Sequence, residues 1–193
     1  MKLKLIIIGA GGHGKACIDV VESTQQYTIE GIIDIPEKLG INVLGYTVIG
    51  SDDKLIKMIR KDRSFLIGIG QIGSPKKRKT LFGLLKDNRG NLPTVISPYA
   101  YVSRHARIGR GTIVMHNATI NAGAVIGENC IINTNALVEH DAIIGNHCHV
   151  ATAAVVNGDC ILGSDVFIGS NTVLKNGISI EEGTILSAGK FIK

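Results

Sequence analysis

The chain of 193 residues has no tryptophan, and only 4% of it is aromatic. Its core must therefore be built from aliphatic side chains. Charged residues are also sparse, at 19%, against 45% hydrophobic, a balance that excludes a disordered chain. No apolar run reaches the roughly 18 residues of a membrane span, so no membrane-spanning segment is expected. The opening Met1-Lys2-Leu3-Lys4-Leu5-Ile6-Ile7-Ile8 lacks a small-residue cleavage site and reads as a first β-strand, not a secretory signal. A cytoplasmic location is expected. The four cysteines, at 17, 130, 148 and 160, contain no C-x-x-C pair and read as reduced, structural thiols.

Aromatics interleaved with basic residues are missing too. The densest basic run, Lys76-Lys77-Arg78-Lys79, has only Phe82 nearby, so no nucleic-acid partner is expected. The run reads as the solvated face of a helix following Pro75. The net charge of +5 suits small polyanions such as nucleotide sugars or a phosphorylated cofactor.

What the chain has in abundance is glycine, with 24 residues, and a repeat. Every sixth residue from Ile96 to Ile192 is Ile, Val or Leu, with no insertion. A second row, four positions later, is small almost throughout: Ala100, Ala106, Thr112, Ala118, Ala124, Cys130, Ala136, Ala142, Cys148, Ala154 and Cys160. Long and small residues alternate as the inward positions of short strands joined by tight corners. Gly109, Gly127, Gly145 and Gly163 recur at an 18-residue spacing, so three hexapeptides make one three-sided coil. Residues 18 apart stack about 4.8 Å from one another. The three cysteines of the small row act as small hydrophobes.

The first half alternates strands and helices, which predicts a parallel sheet. Strands are expected at Leu3–Ile8, Tyr27–Ile33, 65–69 and 94–96, and helices at 15–23, 52–60 and 76–86. Gly9, Gly11 and Gly14 satisfy G-x-G-x-x-G between a strand and a helix, and Asp34 follows about 20 residues on. Glycines there let an anion or sugar approach the backbone at a helix N-terminus. The short α/β half suits a mononucleotide better than NAD. Residues 1–95 and 96–193 are expected to form separate domains.

The Gly-Ala-Gly-Gly-His-Gly-Lys opening, the small α/β unit and the hexapeptide repeat together resemble one family. It is the sialic acid O-acetyltransferase type of hexapeptide-repeat acyltransferase, which includes the N-acetyltransferases of nucleotide-linked 4-amino-4,6-dideoxy sugars such as that of the bacillosamine pathway. The resemblance implies an α/β N-terminal Rossmann-like half-domain followed by a left-handed parallel β-helix. It also implies a homotrimer, acetyl-CoA as co-substrate, a nucleotide sugar held by the first domain, and no metal.

The strongest local match is Asn133-Thr134-Asn135-Ala136-Leu137-Val138-Glu139-His140-Asp141. The chemistry supports it independently. An attacking amine or hydroxyl must lose a proton, which an imidazole near pKa 6.5 accepts well, and a neighbouring carboxylate orients the ring. Glu139 and Asp141 both flank His140, and the resemblance favours Asp141. Gly158, one coil on from His140, leaves room for substrate, and its backbone N–H is the implied oxyanion donor. The resemblance further assigns His149, Gly169, Ser170 and Ala188 to acetyl-CoA. It assigns Gly11, Gly12, His13, Asp34, Ile35 and Gly70 to the nucleotide sugar. His105, His116 and His147 read as surface or interface residues. Two departures stand out: Gln71 occupies a position where Asn is common, and the family's Gly-x-Pro-Ala-Lys-like tail is absent.

Other functions compete. Acetylation of a sugar hydroxyl, as in sialic acid O-acetylation, would use the same base. A zinc hydratase of the hexapeptide carbonic-anhydrase type would need His140, His147 and His149 to converge on a metal. An NAD-linked oxidoreductase lacks a substrate domain apart from the β-helix. A non-catalytic trimeric sugar-binding module is the remaining alternative.

Overall fold

The computed structural model describes residues 2–193. Strand β1 (Leu3–Ile8) lies near the middle of a five-stranded sheet of order β3-β4-β2-β1-β5, with β2 at Tyr27–Ile33, β3 at Asn42–Val43, β4 at Tyr46–Gly50 and β5 at Arg63–Ile67. All pairings are parallel except the β3–β4 hairpin at the edge. Successive side chains of a strand point to opposite faces, so a strand covered on both sides reads as unbroken apolar sequence. In β1, Leu5 and Ile7 pack with helix α1 (Gly12–Thr24), while Ile6 and Ile8 pack with helix α2 (Lys76–Asp87).

Four local expectations need correction. Helix α1 starts at Gly12, before the expected residue 15, because the tight turn occupies only residues 9–11. The helix expected over 52–60 is two 3-10 turns, Asp52–Lys54 and Ile56–Met58. Only Leu55 of that segment is fully buried, so no continuous apolar stripe supports a longer helix. Strand β5 ends at Ile67, two residues earlier than expected, and residues 68–72 leave the sheet as a strap. The hairpin of β3 and β4 was not anticipated; Asn42 Oδ1 accepts the Gly45 N–H across its turn. The basic run is not wholly solvated either. Lys76, Lys77 and Lys79 keep exposure, but Arg78 is buried. It turns inward because carbonyls of β5, the strap and the second half all face its guanidinium.

From β6 (Val95–Ile96) to β22 (Phe191–Ile192) the chain forms a three-sided parallel β-helix of two-residue strands. The register is the 18-residue period itself: Val102 lies beside Ile120, then Val138, Val156, Leu174 and Ile192. Its interior is the predicted pair of rows, Ile/Val/Leu alternating with Ala and Cys, and Cys130, Cys148 and Cys160 sit there as free thiols. The glycine column permits coil stacking: a Cβ on Gly109 or Gly145 would stand 2.6 Å from the backbone of the next coil.

The first face of the β-helix, which begins with β6, carries outward residues that are not exposed. Val95, Ile113, Met115 and Ile131 share one core with α1 and with Leu5 and Ile7 of β1. Helix α1 is thus packed between the sheet and the β-helix. No helix among the described residues is long and apolar enough to cross a membrane.

Candidate active site

Two cavities, one in the α/β half and one along the β-helix, share Ile72 as a wall residue. The first, about 500 Å³, is bounded by the ends of β1 and β2, the glycine turn and the strap. Gly11, Gly12, His13, Asp34 and Gly70 all line it, so five of the six residues assigned to the nucleotide sugar converge. Ile35 is the exception: it is exposed, and its N–H donates to Asp34 Oδ1 at 2.7 Å. Lys38 and Lys77 add positive charge to the wall. Lys38 has no sequence signal, and Lys77 belongs to the basic run read as a solvated helix face.

Asp34 braces the turn. Its Oδ2 accepts the Ala10 N–H at 2.5 Å and lies 3.2 Å from Lys38 Nζ. Partial burial raises its pKa, but the N–H groups of Ile35 and Ala10 and the Lys38 ammonium together hold it below the usual value. His13 lies in the first turn of helix α1. Burial, then Arg78 and His149, lower its pKa to about 3, so the ring is neutral. Its Nε2 is buried without a hydrogen-bond partner.

The second cavity, about 560 Å³, runs along the first face and its edge with the second. His149, Gly169, Ser170 and Ala188, the residues that the resemblance assigns to acetyl-CoA, all line it. Asn133, Phe167 and Ile72 are among its other wall residues and were not assigned. Phe167 had a signal in being an aromatic at an outward strand position, whereas Ile72 had none. Ile72 lines both cavities.

His149 is locked. Its Nδ1–H donates to the Gln71 carbonyl at 2.5 Å, which leaves Nε2 to accept from Asn133 Nδ2 at 3.1 Å. Burial lowers its pKa to about 4, against the opposing pull of the Gln71 carbonyl. The Phe167 ring lies edge-on at 5.2 Å and the His13 ring at 6.5 Å.

His140 lines neither cavity. It stands exposed at the edge between the second and third faces, after the strand Leu137–Val138 and before Ile143–Ile144. Its Nδ1–H donates to Asp141 Oδ2 at 3.0 Å, and this hydrogen bond raises its pKa, with Asp159 and Glu139 adding to the effect. Asp141, not Glu139, is therefore the carboxylate that holds the ring. Nε2 is left as the basic nitrogen, and Gly158 lies beside it: a Cβ there would stand 2.6 Å from Nε2. Asp141 has φ 58, the left-handed corner conformation that Asp tolerates. The pair is thus placed by the coil itself.

The remaining histidines serve local structure. His116 bridges Ser97 and Asp19, and His147 accepts from Asn129 beneath Phe82. His140, His147 and His149 do not converge within the chain: the first is exposed at an outer edge, the second is held by Asn129, and the third is buried on the first face. The single-chain geometry gives the zinc-hydratase alternative no support.

Comparison with known proteins follows the same division. The PglD N-terminal domain profile matches residues 4–85, and the GMPPB C-terminal domain profile matches residues 91–188. The UDP-N-acetylbacillosamine N-acetyltransferase of Bacillus subtilis (strain 168) is 31% identical over 112 residues, covering 56% of this chain and 50% of that protein. The matched stretch thus spans about half the length of this curated relative. The acetyltransferase domain of PglB from Neisseria gonorrhoeae FA1090 superposes with a TM-score of 0.91 at 28% identity, covering 100% of this chain and 92% of that one. The same domain has been solved with acetyl coenzyme A, at TM-score 0.89 and 27% identity, covering 100% and 93%. PerB from Caulobacter crescentus, in complex with CoA and GDP-perosamine, superposes with a TM-score of 0.90 at 32% identity, covering 98% of this chain and 88% of that one. The fold is therefore a Rossmann-like half-domain followed by a left-handed parallel β-helix, and the chain belongs to the PglD- and PerB-like family of nucleotide-amino-sugar N-acetyltransferases.

Proposed function

We propose that the protein transfers an acetyl group from acetyl-CoA to the amino group of a nucleotide-linked amino sugar of the 4-amino-4,6-dideoxy type. One observation carries this reading. Five of the six residues assigned to the nucleotide sugar line one cavity, those assigned to acetyl-CoA line the next, and the two share Ile72. PerB, solved with CoA and GDP-perosamine together, supports the same pairing of ligands. Residues 1–95 serve as the nucleotide-sugar unit and 96–193 as the acetyl-CoA unit.

The base explains the assembly. His140 stands on a different edge of the β-helix from both cavities, so a single chain does not bring it to the acceptor amine. A homotrimer with His140 of one subunit turned toward the cavities of its neighbour completes the site. The amine nitrogen then attacks the thioester carbonyl and His140 Nε2 takes its proton. The Gly158 N–H stabilises the oxyanion of the tetrahedral intermediate. Collapse breaks the C–S bond, and the thiolate of CoA leaves and recovers the proton from His140. Asp141 stabilises the imidazolium between the two steps. No metal enters this sequence. The use of acetyl-CoA and a nucleotide sugar fits a cytoplasmic enzyme.

The test is an acceptor comparison. CoA release should be efficient with nucleotide-linked amino sugars, weak with the same sugar stripped of its nucleotide, and absent with free sialic acid. Efficient acetylation of free sialic acid, indifferent to nucleotides, would instead make the enzyme a sugar O-acetyltransferase.

A further inference from the structure

Arg78 is the largest wholly buried side chain in the protein, and it is a cation. Its Nη1 donates to the carbonyls of Ile67 and Ile69, both at 2.7 Å. Its Nη2 donates to the carbonyl of Asn129 at 3.2 Å and to Asn129 Oδ1 at 2.9 Å. The Nε has no partner. An apolar side chain of similar length would fill this space without desolvating a charge, but would leave the four acceptors without a donor. What an apolar side chain lacks is the planar fork that grips two carbonyls of one segment and two acceptors of another.

The gripped segment is the strap that links the cavities. Residues 68–70 line the first cavity, and Ile72 lines both. Between them, the Gln71 carbonyl accepts the Nδ1–H of His149, and Gln71 Nε2 donates to the His147 carbonyl at 2.9 Å. Asn129, the anchor on the β-helix, also donates from Nδ2 to His147 Nδ1 at 2.9 Å. One guanidinium therefore joins β5, the strap and the β-helix at the root of both cavities.

We propose that Arg78 is a positioning residue for acetyl transfer: by pinning the end of β5 and the strap 68–72 to Asn129 it sets the spacing between acceptor and donor cavities, and with it the alignment of amine and thioester. The inference rests on the acetyl-transfer reading above. Alignment acts on the rate of the bound complex, where misplacement by about 1 Å costs roughly 10²-fold.

The test uses Arg78→Met and Arg78→Lys in the full chain. In Arg78→Met, kcat per folded molecule should fall by roughly 10–100-fold, while calorimetric affinities for acetyl-CoA and for the nucleotide sugar stay close to wild type. Arg78→Lys, which can still reach a strap carbonyl, should recover part of that loss. A purely structural role would lower the melting temperature and leave kcat per folded molecule unchanged, and that result overturns the proposal. The hydrogen-bonded Nδ1 proton of His149, followed by NMR, reports on the strap without turnover. It should shift or broaden in the Arg78 variants, and an unmoved signal also overturns the proposal. An inactive wild type would defeat the acetyl-transfer reading, and with it the proposal, even if the NMR signal moved. If the Arg78 variants do not fold, Asn129→Gly removes the closer of the two β-helix acceptors, Oδ1, and keeps the carbonyl, at a position with φ 55 where glycine is at ease. It should lower kcat in the same direction at near-constant affinity, and an unchanged kcat overturns the proposal.

Discussion

Three imidazoles of the proposed site differ in what surrounds them, and their chemistry differs accordingly. His140 is exposed and holds a hydrogen bond to Asp141 that raises its pKa, whereas His13 and His149 are buried and neutral. A base must be neutral to accept a proton, so the rate falls as pH drops through the raised pKa of His140. In Asp141→Asn the ring loses its anionic partner and its pKa falls. The acidic limb of the pH–rate profile should then move to lower pH while the plateau drops, and a limb that stays in place would assign the titration to another group. His140→Ala should lower turnover by roughly 10²–10⁴ with little change in acetyl-CoA binding, measured by calorimetry. The buried pair acts instead on stability. Free imidazoles take up protons below about pH 6.5, while these two stay neutral in the folded protein down to about 3 and 4. The unfolded chain therefore binds more protons in that window, and stability is complete above it and lost as pH falls. The loss amounts to at most about 2.7 kcal/mol per pH unit for the two groups together. Urea titrations from pH 7 to 4.5 should show this slope, and His149→Asn should flatten it.

At the scale of elements, the glycine turn separates fold from function. A Cβ on Gly14 would collide with the carbonyl of Gly9, at the point where α1 leaves β1. A Cβ on Gly12 meets nothing within 4 Å, yet Gly12 lines the first cavity. Gly14→Ala should unfold or strongly destabilise the protein. Gly12→Val should leave the melting temperature and the acetyl-CoA affinity near wild type and raise the KM for the nucleotide sugar sharply. A Gly12→Val enzyme with an unaltered acceptor KM would remove the ligand from this loop. Much of this organisation was legible in the sequence because it repeats. The hexapeptide rows set strand, register and interior at once, and the apolar run of β1 announced a strand covered on both faces. One periodic signal was passed over. From residue 111 to 189 every sixth residue has a positive φ, filled by Gly, Asn, Asp, His147 or Ala153. That row of turn formers marks the corners, and Asp141 belongs to it. The segment 34–62 was read least well. Its 3-10 turns and edge hairpin depend on one buried Leu55 and a few polar contacts, which leave no periodic trace.

At the scale of the whole molecule, the two halves share a core through Val95, Ile113, Met115 and Ile131. The sequence groups residues within each half but does not relate them across the join. Arg78 read as part of a solvated run because its partners, Ile67, Ile69 and Asn129, are backbone carbonyls or distant in the chain. Ile72 carried no signal for the same reason, and Gln71 stood out only as a departure from the resemblance. The most consequential feature at this scale is the separation of His140 from both cavities. The account requires that one chain hold the substrates and another supply the base. Mixing two inactive variants tests this most directly. His140→Ala keeps the cavities and loses the base; Ala188→Trp keeps the base and fills the acetyl-CoA cavity. After unfolding and refolding together, hybrid assemblies should acetylate the nucleotide-linked amino sugar at a rate far above either parent alone. If the refolded mixture assembles into hybrids and stays as inactive as its parents, the base and the cavities work within one chain or not at all, and the composite site is wrong.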